Sequence, residues 1–340
     1  MNSMNLLFSV FGGMIGAIFG PITTFIVVGF VGLAGVIATI SGSTFDWIGI
    51  VALGPIFGPH VAFVGGVAAA AYAKKIGGLE SGKDIVTPLL SIKKPSVILV
   101  GGIFGSAGYL LNDLLATLFP GKFDSLAFTI VITAIVAKIL FGELGLSGIY
   151  GSTPKEIKEA GGRFSSRSPI QWLPYLSTGV EKLLVACSLG GASAYITYIM
   201  LQNPETAGVA AFVGFFMSAA SLLWLINGFA IPVTHHMTLC ASYAVVASGG
   251  SIVWGITGAI IAAFAADFLA QAFLLYGSDV HVDPPSMGIA VTSLLLLTVF
   301  PAMNLTNSVA VIGVVLVGCL VVILKQETHE KSVRKISQVD

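Results

Sequence analysis

The chain of 340 residues is 56% hydrophobic and only 9% charged, and its mean hydropathy is +0.96. Its 16 basic and 16 acidic side chains leave no net charge. This composition lies far outside the range of water-soluble domains, predicts a polytopic protein within a lipid bilayer, and leaves too little exposed chain for a nucleic-acid-binding domain.

Apolar runs of the length needed to cross a bilayer, about 20 residues, recur along the whole chain. They predict an all-α membrane protein with about eleven (10–12) transmembrane helices. The predicted helices lie near residues 5–20, 21–41, 47–74, 96–118, 125–143, 178–202, 206–223, 224–248, 251–276, 284–300 and 304–324.

The basic residues set the predicted orientation. They cluster at 74–94, 155–182 and 325–335, and an eleven-helix count places these clusters on one side, with only Lys122 opposite. By the positive-inside rule that side is the cytoplasm, so we expect a multi-pass protein of the cell (inner) membrane with a cytoplasmic C-terminus and an outside N-terminus. Lys138 lies near the inner end of its helix and can snorkel to the interface.

The longest polar stretch is predicted to be a cytoplasmic linker between two membrane halves. Within it, "STPKEIKEA" carries Thr153 as a predicted N-cap, Pro154 at the first helical position and Glu156 three residues after the cap, a capping-box pattern. The predicted domains are a first membrane repeat (1–143), the linker (144–175), a second membrane repeat (176–300), an extra C-terminal transmembrane helix (301–324) and a cytoplasmic tail (325–340).

The two halves carry matching motifs in the same order. "GIFG" precedes "NDLLA" with Asp113, and "GITG" precedes "ADFLA" with Asp267. Further on, Asp124 and Asp283 each lie nine residues before a threonine. Five crossings in each half would invert the second half relative to the first, which is the inverted-repeat architecture of many secondary transporters.

Each half also contains an interruption rich in proline and glycine. "GPIFGP" precedes His60, and "NGFAIP" precedes the histidine pair of "AIPVTHHMTLC". Proline lacks an amide proton and clashes with the preceding turn, so each stretch should break its helix. Paired breaks in inverted halves point to a transport site near the bilayer midplane. The predicted pathway residues are Pro59, His60, Pro232, Thr234, His235 and His236.

The adjacent rings of His235 and His236 would point about 100° apart on a helix. We therefore expect one ring to face the pathway and the other to hold the break in shape. A structural alternative stays open for each histidine, in which the ring hydrogen-bonds a carbonyl oxygen at a contact between helices.

An acidic residue lies inside an apolar helix of each half, Asp113 beside Asn112 in the first and Asp267 in the second. A carboxylate in that setting is costly. Two interpretations stay open. Asp113 and Asp267 couple transport to a proton or cation, or they belong to a polar network with Asn112 and the amides of the broken helices.

The stretch "GSDVHVDPPSMG" places Asp279, His281 and Asp283 at alternate positions. An extended backbone would present all three side chains on one face, as a weak metal or proton site needs. The favoured interpretation is a solvated loop in which Asp283 caps the helix that starts at Pro284.

No other motif indicates an enzyme. The sequence has neither a G-x-x-x-x-G-K-[ST] loop nor an H-E-x-x-H pair, and its three cysteines lack the spacing of metal ligands. We expect no catalytic residue, no cofactor and no resident metal.

The interrupted halves resemble the urea-transporter type of channel, in which two five-helix inverted halves are joined by a loop. "IPVTHHMTL" is similar to the L-P-x-x-T-x-P-F segment of that family, with Pro232 in the place of its proline. His235 occupies the threonine position, and the second proline and phenylalanine are missing, so no urea-binding residue is carried over. The resemblance implies a channel architecture and, by analogy alone, a homotrimer. The chain is also similar to bacterial multi-pass permeases without an assigned substrate.

Together these features predict a membrane transporter or channel, a permease, for a small solute that passes between the two repeats at the broken helices. One alternative is a divalent metal-ion transporter that uses the membrane histidines with Asp113 and Asp267. Another is a structural or signalling membrane protein, or a membrane enzyme, without solute flux.

Overall fold

The structure is a computed structural model and describes residues 3–165 and 168–336. All the regular secondary structure in this range is helical, and the range contains no strand. The predicted all-α class is therefore confirmed. Helices of more than ten residues follow one another in this order: α1 (Ser3–Phe19), α2 (Pro21–Ile40), α3 (Ala62–Lys75), α4 (Pro95–Leu118), α5 (Ser125–Phe141), α6 (Gly179–Leu201), α7 (Ala210–Ile226), α8 (His235–Ala247), α9 (Ile252–Phe273), α10 (Pro284–Ala302) and α11 (Val309–Ile336).

Five of these helices, α2, α4, α6, α9 and α10, are long and apolar enough to cross a membrane by length and composition. Helices α1, α5, α7 and the first part of α11 are shorter but also apolar. Helices α3 and α8 have 14 and 13 residues, which at 1.5 Å per residue is about 20 Å and falls short of roughly 30 Å of hydrocarbon. Each of these two is a half-helix that an irregular segment precedes.

The predicted interruptions are present. In the first half, one π-helical turn at Trp47–Ala52 is followed by irregular backbone up to α3. In the second half, α7 ends at Ile226 and α8 begins at His235, with irregular backbone between them. The helices predicted over 47–74 and 224–248 are thus wrong as continuous helices, because the proline-containing stretches end them early.

The linker forms its short helix without the predicted cap. The helix spans Lys155–Glu159, its N-cap residue is Pro154, and no side chain caps it. The Thr153 hydroxyl instead accepts a hydrogen bond from Nε of Arg163 at 3.1 Å. The helix begins one residue later than predicted, so Pro154, whose side chain cannot cap, takes the N-cap position.

Arg163 fastens the linker to the membrane helices. Its guanidinium lies 3.7 Å from the ring centroid of Tyr150 and 4.5 Å from that of Tyr276, and Nη1 donates to the carbonyl oxygen of Ala272 at 3.2 Å. Ala272 lies in the last turn of α9, where cations are favoured by the exposed carbonyl groups.

Lys138, which the sequence allows to snorkel, has protein partners for its ammonium group. Its side chain is fully buried, and Nζ donates to the carbonyl oxygens of Phe273 and, at 3.0 Å, Tyr276. The unpaired carbonyl groups at the end of α9 provide polar partners inside the protein, so the ammonium group has no need to reach the interface.

The two halves of the fold, α1–α5 and α6–α10, are packed alike. Helices α1, α3 and α4 contact one another in the first half, as α6, α8 and α9 do in the second. The halves meet where α2 packs on α7 and where α5 packs on α10. Helix α11 lies outside this arrangement, against α6 and α9.

The contact between α2 and α7 depends on Gly29. A Cβ atom added there would lie 2.3 Å from the backbone nitrogen of Ala220 and 2.8 Å from the carbonyl oxygen of Phe216. Both atoms belong to the backbone of α7 and cannot yield without moving the helix. Small residues at such crossings let helices approach closely.

We predict that Gly29→Ala lowers the free energy of unfolding by about 1–3 kcal/mol, because the methyl group forces α2 and α7 apart. Gly318→Ala on α11 is the matched control, since a Cβ atom there meets no atom within 4 Å. Thermal unfolding of the purified proteins in one detergent measures both changes. Equal midpoints for the two variants would contradict the proposed close contact.

Candidate functional site: a cavity between the two halves

A cavity of about 140 Å³ lies between the two halves. Side chains of α2, α3 and α5 line it from the first half, and those of α7, α8 and α10 from the second. Leu53 and Pro59 of the first interruption and Val233 of the second also line it, as does His235 at the start of α8. The two helix breaks therefore meet at a single cavity.

Aromatic rings form much of the cavity wall. The ring centroid of Phe25 lies 4.7 Å from that of His235, 5.8 Å from that of Phe215 and 6.1 Å from that of Phe63. Trp172 from the linker also lines the cavity. These rings come from both halves and make the lining mainly apolar.

Asp124 is the first polar feature of the cavity. It is the N-cap of α5, and its Oδ1 accepts a hydrogen bond from the backbone nitrogen of Ala127 at 2.8 Å. Its Oδ2 accepts one from the hydroxyl of Tyr243 at 2.7 Å, so the carboxylate bridges α5 and α8. The backbone nitrogen of Asp124 donates to Oγ of Ser293, which ties the start of α5 to α10 at 2.9 Å.

Asp283 is the second polar feature of the cavity. It is the N-cap of α10, and its Oδ2 accepts hydrogen bonds from the backbone nitrogen and the hydroxyl of Ser286, the former at 2.8 Å. Its Oδ1 lies 3.3 Å from Nε2 of His281. Asp283 and His281 are 8% and 6% exposed, so the expected solvated loop is wrong, although the predicted cap is confirmed.

Both carboxylates occur at matching places in the sequence. Asp124 and Asp283 each cap the last helix of their half, and these helices, α5 and α10, pack against each other. The sequence pattern contained this match, but Asp124 was not among the predicted site residues. An aspartate cap is ordinary at a helix start, and only the packing of the two halves places both caps on one cavity.

Among the described residues, no lysine or arginine pairs with these carboxylates. The residues lining the cavity include neither lysine nor arginine. Among the ion pairs of the described residues, none involves Asp124, and Asp283 is paired only with His281. Asp124 is therefore stabilised by hydrogen bonds from a helix N-terminus and a hydroxyl group, and Asp283 has in addition the contact with His281.

The three predicted membrane histidines take different positions. His235 lines the cavity, and its buried Nδ1 has no hydrogen-bond partner among the described residues. His236 is fully buried 6.1 Å from the Trp172 ring and does not line the cavity. His60 stacks at 6.3 Å on Tyr109 and is likewise outside it. One ring of the adjacent pair therefore faces the cavity.

Of the other predicted pathway residues, one lines the cavity and two do not. Pro59 lines the cavity, whereas Pro232 and Thr234 do not. The hydroxyl of Thr234 is bonded to that of Ser218 at 3.2 Å, which fastens the second interruption to α7.

The predicted coupling residues lie away from the cavity. Asp113 is exposed on α4, and the adjacent Asn112 has a buried Oδ1 without a partner in the described part of the chain. Asp267 is paired with Lys182, whose Nζ lies 2.5 Å from Oδ2 and also donates to the carbonyl oxygen of Ser177. The structure brings neither Asp113 nor Asp267 to the two helix breaks.

Asp279 does not join His281 and Asp283. Its carboxylate accepts hydrogen bonds from the hydroxyl of Ser81 and the backbone nitrogen of Gly82, both at 3.0 Å. Within the ranges 3–165 and 168–336, no group of three or more His, Cys, Asp or Glu side chains is placed to hold a metal ion.

The segment that Asp279 holds contributes one residue to the cavity wall. It connects α3 to α4, and its Ile85 lines the cavity while the carbonyl oxygen of Ile85 accepts from the backbone nitrogen of Ile22 at 3.0 Å. Lys83 of this segment lies 3.9 Å from Asp279. Burial lowers the pKa of Lys83, against the opposite effect of the Asp279 and Glu143 carboxylates.

We predict that Asp283→Ala lowers the free energy of unfolding by about 1 kcal/mol or more, because the amide of Ser286 loses its cap. Asp283→Asn is expected to cost much less, since asparagine caps helices as well as aspartate does. Thermal unfolding in detergent compares the two variants. An asparagine variant as unstable as the alanine variant would show that charge, rather than capping, stabilises this position.

Comparison with known proteins identifies a family. No curated protein and no solved structure matches the chain. The sequence profile of one family matches residues 1–315, which is most of the 340-residue chain. The chain belongs to this family, which is described as "Family of unknown function (DUF7973)".

Proposed function

We propose that the protein is a membrane transporter or channel for a small solute, and that the solute passes through the cavity between the two halves. The observation that carries this proposal is the meeting of both helix breaks at one cavity lined by both halves. Small-solute sites of secondary transporters occur at interrupted helices between repeats.

The broken helices support this proposal for a protein with five helices of membrane-spanning length and composition. In hydrocarbon, irregular backbone is tolerated only where protein buries it or where it lines a cavity. The second interruption meets this condition at its end, where Val233 lines the cavity and Thr234 is buried. Its Ile231 carbonyl oxygen accepts a hydrogen bond from the hydroxyl of Tyr175 at 2.8 Å, and residues 227–230 are exposed. Such segments place backbone groups and polar side chains at membrane depth, where a solute can contact them.

The matched packing of the halves supports an inverted repeat. In each half a break precedes a half-helix, α3 or α8, and the last helix, α5 or α10, starts at an aspartate cap. With an odd number of crossings per half, the two halves would have opposite orientations in the membrane. Rocking of one half against the other, along the α2–α7 and α5–α10 contacts, would then open the cavity to each side in turn.

The proposed orientation has the C-terminus in the cytoplasm of a cell with the protein in its inner membrane, in accordance with the positions of the basic residues. Assembly into a homo-oligomer belongs to the same proposal. The divalent-metal alternative draws no support from the cavity, because its carboxylates and imidazoles are not grouped as a metal-binding set in the described residues.

We predict that Ala127→Leu reduces solute flux severalfold, because Ala127 lines the cavity and a larger side chain fills part of about 140 Å³. Ala107→Leu, at an exposed position of α4, is the matched control and should keep the wild-type flux. Liposomes with purified protein are exposed to gradients of small neutral and charged solutes, and light scattering records the change in their volume. The two proteins are compared at equal amounts of folded, inserted protein.

Wild-type liposomes that pass none of the tested solutes faster than empty liposomes would contradict the proposal. Equal loss of flux in both variants would show that the cavity is not the pathway.

A further inference from the structure

We propose that the cavity binds a small organic cation, namely an ammonium group with a short apolar substituent. The transport of this cation rests on the proposed function above, whereas its binding does not. The inference depends on the charges, the rings and the size of the cavity.

The charge of the cavity favours a cation. Asp124 and Asp283 are 7% and 8% exposed, and the lining contains no lysine or arginine that could neutralise them. Buried charges in proteins are usually paired, because an unpaired ion in an apolar environment is costly. Each carboxylate oxygen can accept two hydrogen bonds, and Oδ1 of Asp124 is given one, from Ala127. A ligand with N–H donors and a positive charge would complete these sites.

His235 gives an independent indication of a ligand. Its side chain is 6% exposed and lines the cavity, and its Nδ1 has no partner in the part of the chain that the structure describes. Buried polar atoms normally have a hydrogen-bond partner, and, unlike the unpartnered ring nitrogens of His60 and His236, this atom belongs to a residue that lines the cavity. A neutral imidazole has one acceptor nitrogen and one donor, so it can accept an N–H of an ammonium group.

The aromatic wall favours an organic cation over a hydrated inorganic one. Phe25, Phe63 and Phe215 surround the His235 side of the cavity, and Trp172 lies on the same lining. Faces of aromatic rings attract cations, most strongly where water is excluded. The same rings provide an apolar surface for an alkyl substituent, which a metal ion or its water shell could not use.

The size of the cavity limits the ligand. About 140 Å³ is close to an engineered protein cavity of about 150 Å³ that holds benzene or xenon. Benzene has six non-hydrogen atoms, so a ligand with roughly four to seven non-hydrogen atoms would fill this cavity. An anion of this size would face two carboxylates, and a neutral solute would leave Asp124 without a counter-charge and Asp283 with His281 alone.

Four probes test this inference with the wild-type protein in phosphatidylcholine nanodiscs. They are n-propylammonium, 1-propanol and propionate, which have similar size and different charge, and the ammonium ion, which lacks the propyl group. Dissociation constants of the three organic probes are measured by saturation-transfer nuclear magnetic resonance, with empty nanodiscs as the blank. That of the ammonium ion, whose protons exchange with water, is measured by its competition with n-propylammonium. We expect n-propylammonium to bind at least about tenfold more tightly than each of the other three.

Two variants locate the binding. Asp124→Asn and Asp283→Asn keep a side chain that can cap α5 and α10, so each should fold while it removes one charge. Each is expected to weaken n-propylammonium binding about tenfold or more, with little effect on 1-propanol. Asp113→Asn is the matched control on the exposed face of α4 and should bind as the wild-type protein does.

The inference is overturned if 1-propanol or propionate binds the wild-type protein as tightly as n-propylammonium does. If the ammonium ion binds as tightly as n-propylammonium, the preference for an organic cation is wrong. If n-propylammonium binds both asparagine variants as tightly as the wild-type protein, the cation does not bind at Asp124 and Asp283, and the inference is wrong. Binding without flux in liposomes would contradict transport alone. Flux of neutral solutes without any preference for the cation would contradict this inference alone.

Discussion

The structure depends on one constraint, which is that a broken helix in an apolar environment leaves backbone groups that need partners. The chain breaks two helices, before α3 and before α8, and the end of each break, at Pro59 and at Val233, lines the cavity between its halves. Each half-helix is almost fully enclosed, with 11 of 14 residues of α3 and 10 of 13 of α8 buried. The long helices α4 and α9 pack along these half-helices, and the cavity lies where the breaks meet.

Several buried charged side chains lie at helix ends that favour their sign of charge. Lys138 and Arg163 lie at the C-terminal end of α9, where carbonyl oxygens face them, while Asp124 and Asp283 lie at the N-terminal ends of α5 and α10. Each charge thus has the sign that its helix end favours. The cations are surrounded by protein acceptors, whereas the carboxylates face a cavity.

The sequence alone predicted local features, such as helices and helix breaks, better than it predicted which residues contact one another in the fold. Composition and proline placement were enough for the helical class, the two interruptions and the Asp283 cap, because these depend on local chemistry. The assignment of His235, rather than His60, to the cavity depends on helix rotation and on the packing of α2 against α7. Asp124 was missed for the same reason, since its partner Tyr243 is 119 residues away along the chain. Contacts at that separation leave no local pattern.

The central claim is that the cavity belongs to a water-accessible pathway through the membrane. Labelling in a cysteine-free background tests it most directly, with Leu126→Cys and Ile289→Cys on the cavity lining and Val136→Cys on the outer face of α5, where Val136 is 40% exposed. A small charged thiol reagent should modify the two cavity cysteines in sealed liposomes and leave Val136→Cys unmodified in the lipid. Protection of both cavity cysteines under conditions that modify an external loop cysteine would contradict the account.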